Sequence, residues 1–173
     1  MPFYGARADG GIHLFLERVR KEHHMPSIER VPLAMLVLRL GVFVVMAIFT
    51  IDKLFTVERA ITALQHFPLH PLNVFLNFTF IGGLTKPVMY AVGVIELAII
   101  VGFLLGFKKR ITYGAVLLFH AISTISTYNM YVTPFEGVHL LYFAAWPMLA
   151  ACFVLYYLRD LDTKWVIEKG RSA

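Results

Sequence analysis

The chain has 173 residues, of which 58% belong to the hydrophobic set and 16% are charged. Soluble domains usually contain about 45–50% apolar and about 25% charged residues, so this is the composition of a membrane protein. Too few residues remain outside the apolar runs to build a separate soluble catalytic domain. The net charge of +5 gives no support for nucleic-acid binding, because basic residues mostly set the orientation of a membrane protein. The only cysteine, Cys152, excludes an intrachain disulfide and a thiolate metal cage.

Residues 1–30 form a charged and polar extension ahead of the first apolar run. Ile12, Phe15, Leu16 and Val19 recur at helical spacing beside basic residues, which predicts a short amphipathic helix. Such a helix can lie on the membrane surface or dock on the ends of the bundle, and the pattern favours neither.

Four apolar stretches are long enough to cross a bilayer as helices: 31–51, 88–107, 111–131 and 138–158. The first is followed by Asp52 and Lys53 rather than by a small-residue cleavage site, so we interpret it as an uncleaved anchor. The apolar segment 72–81 has half the required length and is expected to be a surface or re-entrant element on the outer face.

The distribution of Lys and Arg predicts the orientation of these spans. If the extension 1–30 and the tail 159–173 are both cytoplasmic, twelve basic residues outside the spans lie on that side and three on the other. This satisfies the positive-inside rule. The sequence therefore predicts an all-α, four-helix transmembrane bundle over residues 31–158, with both termini cytoplasmic.

Three ionisable residues lie well inside the apolar runs: Arg39, Glu96 and His120. Each costs at least a few kcal/mol at the bilayer centre and should face a partner or a cavity. Depths counted from the cytoplasmic ends of the spans predict an Arg39–Glu96 ion pair with His120 nearby. This intramembrane polar site could be functional, or it could fix helix register without chemistry.

Weaker candidates surround this predicted site. Asp52 and Lys53 end the first span, and Arg39, Met46, Thr50 and Lys53 share one face of it. In the third span, Thr124 and Tyr131 belong to a polar stripe that could be a pathway or could serve interhelical hydrogen bonding. His139 lies near the start of the fourth span. No ligand set for a metal is expected, since Pro68 separates His66 from His70.

Two segments together resemble the DoxX-like family of small membrane proteins (DoxX/DoxD type). LRLGVFVVMAIFTIDKLF, residues 38–55, is similar to the first helix of that family, and GVIELAIIVGFLLGFKKR, residues 93–110, is similar to its second. The resemblance covers residues 31–158 and implies a four-helix, multi-pass protein of the inner membrane. Arg39, Lys53 and Glu96 match motif positions, whereas His120 and the long basic extension have no counterpart.

Some DoxX-like proteins are subunits of quinone-linked oxidoreductases. The resemblance thus implies an accessory or quinone-interacting subunit of a membrane redox system, with quinone as the candidate cofactor. The intramembrane polar site Arg39, Glu96 and His120, which the apolar runs themselves indicate, is the expected location of its chemistry. The residues leave open whether the chain takes part in catalysis. Two alternatives are a scaffold subunit of a larger membrane complex and a small-solute or proton pathway. The expected partners are the lipid bilayer and other membrane subunits or further copies of the chain.

Overall fold

The computed structural model of the protein describes residues 30–67, 70–72, 74 and 85–167. Every regular element within these ranges is a helix, and none of them contains a strand. The all-α prediction is therefore confirmed for this part of the chain. The predicted amphipathic helix in 1–30 and most of the predicted surface element 72–81 lie outside the described residues.

Within the described ranges, six α-helices and two 3-10 helices follow one another. The α-helices are α1 (Val31–Phe55), α2 (Val57–Gln65), α3 (Thr85–Leu104), α4 (Lys109–Ser126), α5 (Tyr128–Val132) and α6 (Ala145–Tyr157). The 3-10 helices are His139–Ala144, directly before α6, and Arg159–Leu161, after it.

Three helical segments in the described part of the chain are long and apolar enough to cross a membrane: α1, α3 and the continuous stretch His139–Tyr157. They agree with the first, second and fourth spans expected from the sequence. Helix α4 overlaps the expected third span, 111–131, but is not among these three segments. It begins with Lys109 and Arg110 and carries His120 and several hydroxyl side chains, which lower its hydropathy.

The long helices form a closed arrangement in which α1 packs on α3, α3 on α4, α4 on α6 and α6 on α1. Burial of large apolar side chains between them supplies the main favourable term of the packing. The core contains Met35, Val42, Met46, Ile100, Phe103, Val116 and Leu155. Many equally apolar side chains point outward, as expected where lipid replaces water, including Val37, Ile48, Phe49, Val94, Ile95, Leu118 and Phe153.

The last long helical stretch changes its hydrogen-bonding pattern at Ala145. Pro147 has no N–H group to donate to the carbonyl four residues earlier, so a regular α-helix is interrupted ahead of it. The preceding turns adopt the tighter 3-10 form over His139–Ala144. A similar break separates α4 from α5 at Thr127.

After α6 the chain folds back onto the bundle instead of extending into solvent. We call residues 159–167 the C-terminal strap. The Ile167 N–H donates to the Leu105 carbonyl oxygen at 2.9 Å, and Val166 lies against Gly106. The sequence predicted only a cytoplasmic tail over 159–173, so this return to the bundle was not anticipated.

Candidate functional site

Arg39 is 1% exposed and is surrounded by acceptors from other parts of the chain. Its Nη1 atom donates to the Tyr113 hydroxyl at 3.1 Å and to Asp162 Oδ2 at 2.9 Å. Its Nη2 atom donates to the backbone carbonyl oxygens of Lys164 at 2.8 Å and Trp165 at 3.1 Å. Four bonds from one planar guanidinium thus tie α1 to α4 and to the C-terminal strap.

Asp162 completes this cluster from the strap and is 0% exposed. Its Oδ2 atom also accepts a hydrogen bond from the Tyr113 hydroxyl at 2.6 Å, and its backbone carbonyl accepts one from Lys109 Nζ at 2.6 Å. Lys109 and Tyr113 are one turn apart on α4, so one face of that helix supplies both groups. We call Arg39, Lys109, Tyr113 and Asp162 the Arg39 cluster. Its charges are enclosed by protein, which suits an anchor for the strap.

The predicted Arg39–Glu96 ion pair is wrong. The prediction assumed that the cytoplasmic ends of the first two spans lie at the same depth. The contacts of α1 with α3 and with the turn after it show a different register. A Cβ atom on Gly93 would lie 2.6 Å from Leu54 Cδ2, and one on Gly106 would lie 3.3 Å from Arg39 Nη1. Leu54 therefore lies at the same height in the bundle as Gly93, and Arg39 at the same height as Gly106. The N-terminal end of α1 thus extends well past the C-terminal end of α3.

Glu96 instead forms an ion pair with Lys53, with 2.5 Å between Glu96 Oε2 and Lys53 Nζ. Gly93 has no side chain, so α1 can approach α3 closely one turn before Glu96. The Lys53 and Glu96 side chains are 26% and 13% exposed, so this pair is partly open to its surroundings. The sequence identified both residues, Lys53 as a secondary candidate, but did not pair them.

Asp52 neighbours Lys53 in sequence but points away from this pair. Its Oδ1 atom accepts a hydrogen bond from Thr56 Oγ1 at 3.0 Å and lies 3.3 Å from Arg59 Nη1. The Asp52 and Arg59 side chains are 49% and 72% exposed, which makes this an ordinary surface pair. This exposed pair provides a control for variants of Lys53 and Glu96.

Two further polar side chains belong with the Lys53–Glu96 pair. Thr50 is 0% exposed, lies one turn before Lys53 on the same face of α1, and has a hydroxyl without a hydrogen-bond partner among the described residues. His70 is half-buried, and its Nδ1 atom accepts a hydrogen bond from the Leu72 N–H at 3.2 Å. We call Thr50, Lys53, His70 and Glu96 the Lys53–Glu96 site.

Electrostatics connects His70 to the ion pair. Burial lowers the pKa of His70 below its ordinary value, the nearby Lys53 ammonium lowers it further, and the Glu96 carboxylate partly opposes this by raising it. The sequence reasoning considered His70 only as a possible metal ligand with His66. Its place beside two residues so far away along the chain could not be seen from local spacing.

These opposing effects give a prediction about His70. Lys53→Met should raise the pKa of His70, because a neighbouring positive charge is removed, whereas Glu96→Gln should lower it. An NMR titration of the His70 ring in detergent micelles measures both shifts. Arg59→Gln, which alters only the exposed Asp52–Arg59 pair, should leave the titration unchanged. Shifts of the same sign in the Lys53 and Glu96 variants would contradict the arrangement.

His120, the third residue of the predicted polar site, joins neither pair. Its Nε2 atom lies 3.0 Å from the Ala145 carbonyl oxygen, so the ring donates across from α4 to the start of α6. Thr124 Oγ1 donates back to the His120 carbonyl at 2.7 Å, and Thr127 Oγ1 lies 3.0 Å from the Tyr131 hydroxyl. These hydroxyl groups of the predicted stripe therefore bond mostly along their own chain segment.

The remaining candidates help to order the connection between α5 and α6. The Tyr131 ring packs on Phe143 and Trp146, with ring centroids 5.2 and 5.7 Å apart. His139 Nδ1 lies 2.8 Å from the Thr133 carbonyl oxygen and 3.0 Å from Thr133 Oγ1, across the turn that precedes the last long helical stretch. These contacts fix loop geometry and have no evident chemical role.

No group of three or more His, Cys, Asp or Glu side chains within the described ranges is placed to hold a metal ion. Among the described residues, two arrangements bring ionisable side chains together inside the bundle, the enclosed Arg39 cluster and the partly open Lys53–Glu96 site. Comparisons with protein-family models, with curated proteins and with solved structures found no match to this chain.

Proposed function

We propose that this chain is a DoxX-like, four-helix protein of the inner membrane, with both termini cytoplasmic. In this proposal α4 also crosses the membrane, as the third of four spans in chain order. The protein is a quinone-interacting accessory subunit of a membrane redox system. The quinone head group would bind at the Lys53–Glu96 site. The observation that carries the proposal is an ion pair between two apolar helices that is only partly covered by protein.

The depth of this ion pair supports the proposal. Ten residues separate Glu96 from Gly106 at the α3–α4 turn, which corresponds to about 15 Å along a helix. If the basic turn 108–110 lies at the cytoplasmic surface, Glu96 is close to the middle of a hydrocarbon core about 30 Å thick. Ionisable groups at this depth are costly and commonly mark a ligand or proton site.

The chemistry of the site fits a quinone head group. The Lys53 ammonium can donate a hydrogen bond to a quinone carbonyl oxygen, and the Glu96 carboxylate can accept one from a hydroquinone hydroxyl. The buried Thr50 hydroxyl, one helical turn before Lys53 on α1, offers another polar contact for the head group. The nearby His70 ring can accept or donate a proton. The Arg39 cluster fits less well, because four guanidinium bonds already go to the chain's own atoms.

The alternatives have less support from the geometry. A scaffold would use the small-residue stripe Ala98, Gly102 and Gly106 for a partner, but a Cβ atom on Gly102 would lie 3.0 Å from Thr112 Cγ2 and one on Gly106 would lie 2.5 Å from Val166 Cγ1. Both glycines therefore serve packing within the chain. A pathway along α4 would need free hydroxyl groups, and the Thr124 and Thr127 hydroxyls already have partners.

Quinone extraction from protein purified in mild detergent tests the proposal. Lys53→Met and Glu96→Gln should each weaken quinone binding by about 10- to 150-fold, because a hydrogen bond to a charged group contributes about 1.5–3 kcal/mol. Asp52→Asn and Arg59→Gln, which alter the exposed pair on the same part of the chain, should retain wild-type quinone. Absence of quinone from the wild type, even after addition of a soluble analogue, or equal binding by all variants would overturn the proposal.

A further inference from the structure

Trp165, in the C-terminal strap, combines an unfavourable backbone conformation with an exposed side chain. Its φ of 51° lies in the left-handed region, which is unfavourable for an L-residue with a Cβ atom. This conformation presents the Trp165 carbonyl to Arg39 Nη2, a role that glycine would fill without the cost. The side chain is 78% exposed, so its packing within the protein does not account for a tryptophan here.

The strap lies beside a group of exposed basic side chains. The Ile167–Leu105 hydrogen bond and the Val166–Gly106 contact hold it against the α3–α4 turn. Lys108 and Arg110 of that turn and Lys164 of the strap are exposed. Of the two described carboxylates in the strap, Asp162 is buried in the Arg39 cluster and only Asp160 is exposed. Among the described residues of the strap and the α3–α4 turn, the exposed charge is therefore predominantly positive.

Large apolar side chains are exposed among these cations, namely Trp165, Ile167, Leu161, Phe107 and Ile111. An exposed indole in a segment with exposed basic residues, such as Trp165 beside Lys164, is typical of the membrane–water interface. Anionic phospholipids attract such basic groups, whereas a zwitterionic surface does so much less. Both the charge and the apolar surface here are complementary to an anionic leaflet.

We propose that the C-terminal strap and the α3–α4 turn together bind anionic phospholipid head groups. Trp165 lies at head-group level, and Lys108, Arg110 and Lys164 contact the lipid phosphates. The Arg39 cluster keeps the strap in place for this purpose. The inference does not depend on quinone binding, which concerns a different part of the bundle.

Energy transfer from Trp165 to dansyl-labelled lipids tests this inference on the full chain in vesicles. The chain has two tryptophans, so Trp146→Phe leaves Trp165 as the only donor. Transfer to dansyl-phosphatidylglycerol should exceed transfer to dansyl-phosphatidylcholine severalfold at low ionic strength. The difference should shrink as salt is added, because salt screens exposed charges.

Charge removal identifies the residues responsible. The triple variant Lys108→Gln, Arg110→Gln and Lys164→Gln should lose the preference for phosphatidylglycerol, since each basic residue near an anionic surface adds about fivefold to the affinity. Arg59→Gln with Lys86→Gln removes exposed basic residues from other parts of the chain and should leave it intact. Equal transfer to both lipids in the wild type, or an unchanged preference in the triple variant, would overturn the inference.

Quenching by aqueous iodide provides a test that needs no charge variant. In the Trp146→Phe protein in vesicles, Trp165 should be quenched weakly by iodide and strongly by lipids brominated near the head group. Iodide quenching as strong as that of free tryptophan would place the indole in water and overturn the inference.

Discussion

Replacing Asp162 by leucine is expected to lower the free energy of unfolding in detergent by about 3–5 kcal/mol, the usual cost of breaking a buried ion pair on one side. The change leaves the Arg39 guanidinium buried without a counter-charge and removes the oxygen that accepts the Tyr113 hydroxyl. Arg39→Leu should lower the free energy of unfolding by a comparable amount. It removes the counter-charge of the Asp162 carboxylate and the hydrogen-bond donor of two backbone carbonyl oxygens in the strap. Thermal unfolding followed by circular dichroism measures both losses.

Double variants distinguish the observed partner from the one predicted from the sequence. The double variant Arg39→Leu with Asp162→Leu should lower the free energy of unfolding by clearly less than the sum of the two single variants, because it leaves neither charge of the pair buried alone. Arg39→Leu with Glu96→Leu should be additive within about 0.5 kcal/mol, because these residues are far apart in the observed register. Coupling between Arg39 and Glu96, or none between Arg39 and Asp162, would contradict the structure.

The exposed Asp52–Arg59 pair provides a reference for the losses of unfolding free energy expected at the buried Arg39–Asp162 pair. Both side chains are largely solvated, so breaking this pair with Asp52→Asn should cost no more than about 1 kcal/mol. A loss at Asp52 as large as that at Asp162 would show that unfolding in detergent does not report on burial.

The fold class could be predicted because apolar runs about 20 residues long have few alternatives to membrane helices. The predicted spans 31–51, 88–107 and 138–158 each overlap a helical segment that is long and apolar enough to cross a membrane. The boundaries were less predictable. Helix α1 continues to Phe55 because Asp52 and Lys53, although charged, can stay helical while their side chains reach partners at its end.

The partners of the charged residues could not be predicted, because they depend on helix register. Glu96 and Lys53 were both recognisable as unusual within or beside apolar runs, but their pairing follows from the close approach of Leu54 to Gly93. The local pattern of the apolar runs does not indicate how far α1 is shifted along its axis relative to α3.

Asp162 was missed for a different reason. It lies 123 positions from Arg39 in a segment that has the composition of an ordinary polar tail. One signal was available, namely the apolar residue Val166 after the last charged turn, which packs against Gly106. In a solvated tail Val166 would have no apolar surface to contact.

Gly106→Ala is expected to destabilise the protein through both its backbone conformation and its packing. Gly106 has a φ of +60°, which costs alanine about 1–2 kcal/mol. The added Cβ atom would also lie 2.5 Å from Val166 Cγ1, and overpacking of this kind adds about 1–3 kcal/mol. The added methyl should push the strap away from the α3–α4 turn, so the Ile167 amide should exchange hydrogen faster than in the wild type.

Gly137→Ala is the matched control for the Gly106 variant. Gly137 has a similar φ of +51°, but an added Cβ atom would meet nothing within 4 Å. It should therefore show only the backbone cost of about 1–2 kcal/mol and leave the exchange of the Ile167 amide unchanged. The difference between the two glycine variants isolates the contribution of the strap's packing against the bundle. Equal losses from both would mean that Val166 moves aside freely and that the Arg39 cluster alone holds the strap.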